Sequence, residues 1–395
     1  MTADAVADAY VWAYPLLAVH RTRAAHAGPV GGPLVPRRRL STAADRSVVA
    51  PNNDTLYASG WFDLRAGDVT IDVPAMDRPD RYWSVMLLDA YTNVSYVCRR
   101  LHGTAGARVR VTHDPDAIPR PGEACEPVPI ATPTLWVLVR VLVDGPDDLD
   151  AACVAQAGVA VEQPAPRAGA GDLPAVAGLD DPAGFVDGLR AALALDPPAP
   201  WHPAPPPGLG DLLATPPADP VVAAGVEQGE ARIAAQGRGA DGTGNGWGTR
   251  SRGAAFGDDV TYRAAFARYS LAGHLPAENR SYSRVVDGTR SSVLAFPPGV
   301  EPPVDGFWSL SLYGPDMFFV ANEIDRYSIG DRTPGLRREP DGGLRIVIGH
   351  DRPRNAANWL PAPAGPCVLA LRAYEGRPAV TEATWFPPDL VPAEP

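Results

Sequence analysis

The chain has 395 residues, 45% of them apolar and 21% charged, which supports a sizeable core and, at roughly 150 residues per domain, two domains. Acidic residues outnumber basic ones 46 to 35, and the formal net charge of −11 repels phosphate backbones and anionic lipid, so neither nucleic acid nor a membrane is an expected partner. All 35 basic residues are arginine, which excludes a lysine Schiff base and a Walker-type phosphate loop.

The spacing of Tyr10, Val11, Tyr14 and Leu17 predicts a helix over residues 3–27, with a kink or restart at Pro15. From Asp45 to Val143 the pattern changes to short period-two segments such as Val69–Val73, Tyr82–Asp89, Arg108–Thr112 and Leu135–Val143. Both faces of Tyr82–Leu88 are apolar, as in a strand covered on both sides. Residues 164–220 hold 14 prolines in 57 positions around a helical island near Phe185–Leu195, and read as a connector. Helices are predicted at 221–236 and 258–272, with a flexible Gly-rich loop at 237–250 between them. Strand patterns return at Ser292–Phe296, Phe307–Tyr313, Leu344–Ile348 and Cys367–Tyr374.

The expected fold is therefore mainly β with helical additions: two antiparallel β-sandwich, jelly-roll-like domains bridged by helices. The expected boundaries are a helical segment at 1–44, a first sandwich at 45–150, connector and helices at 151–284, and a second sandwich at 285–395. Cys98, Cys125, Cys153 and Cys367 are too scattered for a disulfide framework or a metal knuckle. Residues 1–30 lack a secretion-signal pattern, and the longest apolar run, Leu135–Val143, is broken by Arg140 and far short of the ~20 residues that span a bilayer. A soluble, cytoplasmic protein is the expectation.

Four polar clusters stand out. Asn52, Asn53, Asp54 and Tyr57 open the first β region; short amides and carboxylates there either close a tight turn or line a pocket. Asp89, Tyr91 and Asn93 end the strand that begins at Tyr82. Arg326, Tyr327 and Arg332 lie in a loop with Asp325 and Asp331, where an ion-pair network competes with an anion clamp. His350 follows a strand end and is the best placed of the histidines for proton transfer. Arg140, in an otherwise apolar strand, reads as structural and calls for a carboxylate partner if buried. GxSxG, HExxH and CxxC are absent, and no two histidines lie three to five residues apart, so neither metal nor cofactor is indicated.

The same clusters resemble a known pair of families. Pro51 to Tyr57, followed by Leu88 to Asn93 and by Trp136, Arg140 and Gly145, is similar to the domain of unknown function 1254. Phe307 to Leu310, Arg326 to Gly335, His350, Asp351 and Asn358 to Pro363 are similar to the domain of unknown function 1214. The resemblance implies β-sandwiches with helices before and between them, and it carries no activity.

Together these features point to a cofactor-independent acid/base enzyme, a hydrolase, lyase or isomerase, acting on a small, partly apolar molecule. Asp54, Tyr57, Asp89 and His350 are the catalytic candidates; Asn52, Asn53, Tyr91, Asn93, Arg326, Tyr327 and Arg332 are the binding candidates. The clusters are expected to converge on one cleft between the domains. Amino-acid usage fits a GC-rich bacterial source, with biosynthesis as the setting. A metal-dependent jelly-roll enzyme and a non-catalytic binding or assembly protein are the alternatives, and a homo-oligomer stays open.

Overall fold

The computed structural model describes residues 1–46, 49–119, 127–164, 179, 184–237 and 239–393. The chain opens with helix α1 (Ala3–Ala24) and continues through β1 (Val35–Arg37), β2 (Thr55–Asp63), β3 (Val69–Val73), β4 (Trp83–Leu88) and β5 (Val94–Cys98). Helix α2 (Arg99–His102) leads to β6 (Ala107–Thr112), β7 (Pro127–Pro129) and β8 (Thr134–Leu142). Next come α3 (Leu149–Gly158), β9 (Ala160–Glu162), α4 (Phe185–Leu195), α5 (Leu209–Ala214) and α6 (Asp219–Gln236). The hairpin β10 (Gly242–Gly244) and β11 (Trp247–Thr249) precedes α7 (Val260–Ser270). The last part holds β12 (Asn279–Asp287), β13 (Ser292–Phe296), β14 (Trp308–Tyr313), β15 (Ser328–Gly330), β16 (Leu344–Gly349), β17 (Trp359–Pro361), β18 (Pro366–Tyr374), α8 (Pro378–Thr381) and β19 (Leu390–Pro392).

Among the described residues these strands form four open sheets. Two belong to the first half of the chain, ordered β1-β2-β8-β4-β5 and β7-β6-β3-β9. Two belong to the second half, ordered β10-β11-β12-β18-β14-β15 and β17-β16-β13-β19. Pairing is antiparallel except at the short edges β6–β7 and β16–β17.

Every residue of β8 is buried, and the alternation sorts its side chains. Leu135, Val137, Val139 and Val141 join Leu56, Val85, Ile71 and Val109 in a core shared by both sheets of the first half. Trp136 and Leu138 point the other way, onto α1, α4 and α6. The sheet is covered on both faces, which explains the two-faced apolar pattern of β4. In the second half, Leu310 and Leu371 of one sheet share a core with Leu294 and Ile346 of the other.

Two local expectations meet a different outcome, and a third lies partly outside the described residues. α1 runs unbroken through Pro15, because burial of Val6, Tyr10, Ala13, Leu16 and Leu17 outweighs a local proline cost of about 3 kcal/mol. The Gly-rich segment is not a free loop. Asn245 (φ 52°) and Gly246 (φ 75°) supply the two positive φ values of a tight hairpin turn, and Trp247 is buried beyond it. In the proline-rich connector the helical island is α4, whereas 165–178 and 180–183 lie outside the described residues.

Candidate functional site

The two halves meet where the segment Pro51–Asp54, entering β2, is received by β14, β15 and β18. Tyr313 Oη donates to the carbonyl of Pro51 at 2.6 Å, and Asn52 Nδ2 donates to Tyr374 Oη. Asn52 Oδ1 accepts from the Asp54 amide at 2.6 Å, closing an Asx turn, so the turn expected of these residues is also what aims them across the junction. Ser309 Oγ donates to Asp54 Oδ2 at 2.6 Å. Ser328 Oγ lies 2.8 Å from Asn53 Oδ1 and 3.5 Å from Asp54 Oδ1. Burial pushes the Asp54 carboxyl above the usual range, against the opposing pull of Ser309, Arg372 and Ser328.

Arg372 and Tyr374 lie two apart on β18 and therefore share a face. The Arg372 guanidinium donates to Tyr313 Oη at 2.8 Å, Ser311 Oγ at 3.1 Å and the Ala50 carbonyl at 3.0 Å. Across the junction Arg140 of β8 pairs in register with Tyr57 of β2, and its guanidinium sits 5.1 Å from the Tyr57 ring centroid. Arg140 is only 3% exposed. Its Nη2 lies 3.4 Å from the Ala272 carbonyl, Nη1 lies 3.6 Å from Met86 Sδ, and Nε has no partner. Among the described residues no carboxylate pairs with it, contrary to the expectation for a buried arginine in a strand.

His274, in the loop after α7, completes the cluster. Its Nδ1 lies 3.1 Å from Tyr96 Oη, which accepts from the Leu275 amide at 3.3 Å. That arrangement leaves the Tyr96 proton for Nδ1 and assigns the His274 proton to Nε2. Burial, helped by Arg140 and Arg372, drives the His274 pKa well below its ordinary value, so the ring is neutral. Nearby, Glu278 is fully buried; its carboxylate accepts from Tyr82 Oη at 2.6 Å and from Arg100 Nε at 3.3 Å. Asp54, Tyr57, His274 and Arg372 stay half-buried rather than closed off. A surface pocket of about 510 Å³, lined by Ser41, Thr42, Asn53, Asp325 and Tyr327, adjoins the cluster through Asn53.

The predicted site residues divide among several places. Asn52, Asp54 and Tyr57 line the junction, and Asn53 and Tyr327 line the adjoining pocket. Tyr327 Oη donates to Asp325 at 2.9 Å. Asp89, Tyr91 and Asn93 form a separate turn under α7. Asp89 accepts from the amides of Tyr91 and Asn93 at 2.9 and 2.8 Å, burial pushes its pKa to about 6, and Tyr91 Oη donates to the Asp196 carbonyl at 3.0 Å. Arg326 donates to the carbonyls of Ala357 and Trp359 at 3.0 and 2.9 Å, not to a carboxylate. Arg332 reaches Asp80 at 3.0 Å and Asp144 at 3.4 Å, tying the two halves together at another edge. His350 is exposed, with Nδ1 3.2 Å from the Ala362 carbonyl. Of the four clusters expected to share one cleft, 52–57 meets Tyr327 and Ser328, whereas Asp89 to Asn93, Arg326, Arg332 and His350 lie elsewhere.

His274, Arg372, Tyr374, Tyr82 and Glu278 are absent from the sequence-based candidates. Two signals were available: Arg140 interrupts an apolar strand, and Arg372 and Tyr374 put polar atoms at alternate positions of a buried one. For His274 the sequence offers no signal. Among the described residues no group of three or more His, Cys, Asp or Glu side chains could hold a metal, and no helix is long and apolar enough to cross a membrane.

Among the described residues the fold is one of mixed strand and helix content, with open, mainly antiparallel sheets and a polar junction between those of the first half and those of the second. The chain belongs to the proteins that pair two families in this order. Residues 33–163 match the family described as Protein of unknown function (DUF1254), and residues 275–378 match Protein of unknown function (DUF1214). No curated protein matches the chain. The crystal structure of the VPA0106 protein from Vibrio parahaemolyticus is similar over 100% of both chains, with a TM-score of 0.73 at 20% identity. That of an uncharacterized protein from Burkholderia cenocepacia covers 97% of this chain and 87% of its own, with a TM-score of 0.52 at 14% identity. At such identities the likeness is one of fold.

Proposed function

We propose that the chain is a cofactor-independent acid/base enzyme acting on a small, partly apolar molecule bound where β2 and β8 meet β14 and β18. The observation that carries this reading is the neutral, half-buried His274, whose Nδ1 is taken by Tyr96 and whose ring lies in the field of guanidiniums from the two halves, Arg140 and Arg372. An Nε2–H held neutral in a water-poor site can donate to an oxygen that gains negative charge, and tyrosine hydroxyls at Tyr57 and Tyr374 can do the same. Asp54, whose pKa burial raises, is matched to take up a proton. We read each pair of sheets as a sandwich, since each shares one core. The free thiols of Cys98, Cys153 and Cys367 suit a reducing, cytoplasmic setting, where bacterial biosynthesis is a fitting context.

The test is incubation of the purified protein with a bacterial small-molecule extract in D2O, followed by NMR and mass spectrometry. Species consumed or deuterated by the wild type, and not by folded His274→Gln or Asp54→Asn, support the reading. Identical spectra for all three proteins overturn it.

A further inference from the structure

Buried arginines elsewhere in this protein show what a structural guanidinium looks like. Arg81 is fully buried and donates to both oxygens of Asp77, both of Asp148 and the Leu142 carbonyl. Arg280, 3% exposed, reaches the carbonyls of Val380, Thr381, Arg250 and Ser251. Arg140 is buried to the same degree, yet beyond a hydrogen bond with the Tyr57 hydroxyl it has one long contact to a carbonyl, one to a sulfur, and an Nε with no partner. A charge taken out of water on such terms is costly unless something else completes it.

The charges around it are also unequal. Arg100, Arg140 and Arg372 face two carboxylates, Asp54 and Glu278. Glu278 is taken by Tyr82 and Arg100, and Asp54 by Ser309 with Arg372 acting on it. One positive charge at Arg140 is left over, close enough to lower the pKa of the neutral His274. Rings surround it: Tyr57 lies under the guanidinium, and Tyr82 and Tyr96 are near enough to feel its charge.

We propose that Arg140, assisted by Arg372, binds the carboxylate of a small organic acid whose apolar body lies against Tyr57, Tyr96 and Tyr374. The inference rests on the location of the site argued above, and it is independent of whether that site turns a substrate over. One surplus charge matches a monoanion rather than a phosphate dianion. The planar guanidinium fork matches a carboxylate in geometry, and the aromatic surroundings suit an apolar remainder.

The probes are benzoate and its neutral isostere benzamide, with inorganic phosphate at equal ionic strength, titrated by calorimetry and by thermal unfolding. Benzoate is expected to bind saturably and raise the unfolding temperature, benzamide and phosphate much less, and Arg140→Met to weaken benzoate roughly 10- to 150-fold. An exposed control, Arg108→Met, should leave binding unchanged. Should Arg140→Met fail to fold, Arg140→Gln and the arginine Nε–H resonances of the wild type under benzoate titration give the same readout. Equal binding of benzoate and benzamide, with both weakened by His274→Gln, overturns the carboxylate assignment and leaves the site standing. Benzoate binding that ignores both Arg140 and His274 overturns the site as well. Preference for phosphate, or no binding by any probe at tens of millimolar, also overturns the clamp.

Discussion

His274 and Asp331 show how one physical cause, burial, acts with opposite sign on a base and an acid. In the unfolded chain an imidazole takes up a proton as the pH falls through its ordinary value near 6.5, whereas the folded ring, its pKa lowered, does not. The stability that neutral His274 contributes above that pH is therefore lost as the pH falls. Denaturant melts of wild type and His274→Gln should show the wild type losing about 1.4 kcal/mol per pH unit relative to the variant below pH 6.5, down to the folded pKa. A constant difference between the two across pH 5–8 would refute the neutral ring. Asp331 accepts from the Trp308 amide at 3.3 Å, and burial pushes its pKa to about 7. Its raised pKa favours the fold at low pH, and that contribution is lost as the pH rises through 7. Asp331→Asn should gain stability relative to the wild type between pH 5 and 8, and an unchanged difference would count against the raised pKa.

Among the elements, α1 and α6 show packing overriding propensity. A Cβ on Gly225 would stand 2.4 Å from Val6 Cβ and 2.7 Å from the Ala3 carbonyl, and one on Gly229 would stand 2.7 Å from Tyr10 Cδ1. Both glycines sit inside α6, where alanine would be favoured by up to about 1 kcal/mol on propensity alone. Gly225→Ala is nevertheless expected to destabilise by about 1–3 kcal/mol, because the helices must separate to accept the methyl group. A rise in melting temperature for this variant would show that the contact is loose. The start of β4 depends on Arg81 in another way: its two carboxylate partners and the Leu142 carbonyl tie that start to the end of β8. Arg81→Met removes these charge-assisted bonds and leaves Asp148 only Arg78, 3.5 Å away, so it should cost about 1.5–3 kcal/mol in urea titration.

For the molecule as a whole, the junction makes one unit of the two families. Tyr82 and Leu142 from the first half pack with Phe307 and Tyr374 from the second, and the Phe307 and Tyr374 rings stack 4.2 Å apart at 11°. Arg99 pairs with Glu375, and Arg332 with Asp80 and Asp144, across the same boundary. Calorimetry should therefore show a single transition for the wild type, and two resolved transitions would contradict a shared core. Phe307→Ala removes the stack at a cost of about 3–5 kcal/mol and is the change most suited to split the melt in two.

Periodicity in the sequence was sufficient for the strands at 69–73, 83–88, 134–142 and 366–374, because alternation reports which faces of a strand are apolar, and a local pattern encodes that. The long motifs at 51–57 and 307–363 likewise placed the two families in order. Which polar groups meet is not a local property. Asp54 and Ser309 are 255 positions apart, and Asn52 and Tyr374 are 322 apart, so their contact depends on how two separately patterned pairs of sheets dock. Docking separated Asp89 and His350 from Asp54, put His274 among two arginines, and left Arg140 without the carboxylate its burial calls for. The sequence determined which residues could be buried, because hydrophobicity is a property of each side chain. Only the tertiary structure decided which buried charge would lack a partner, because pairing is a property of the space between elements.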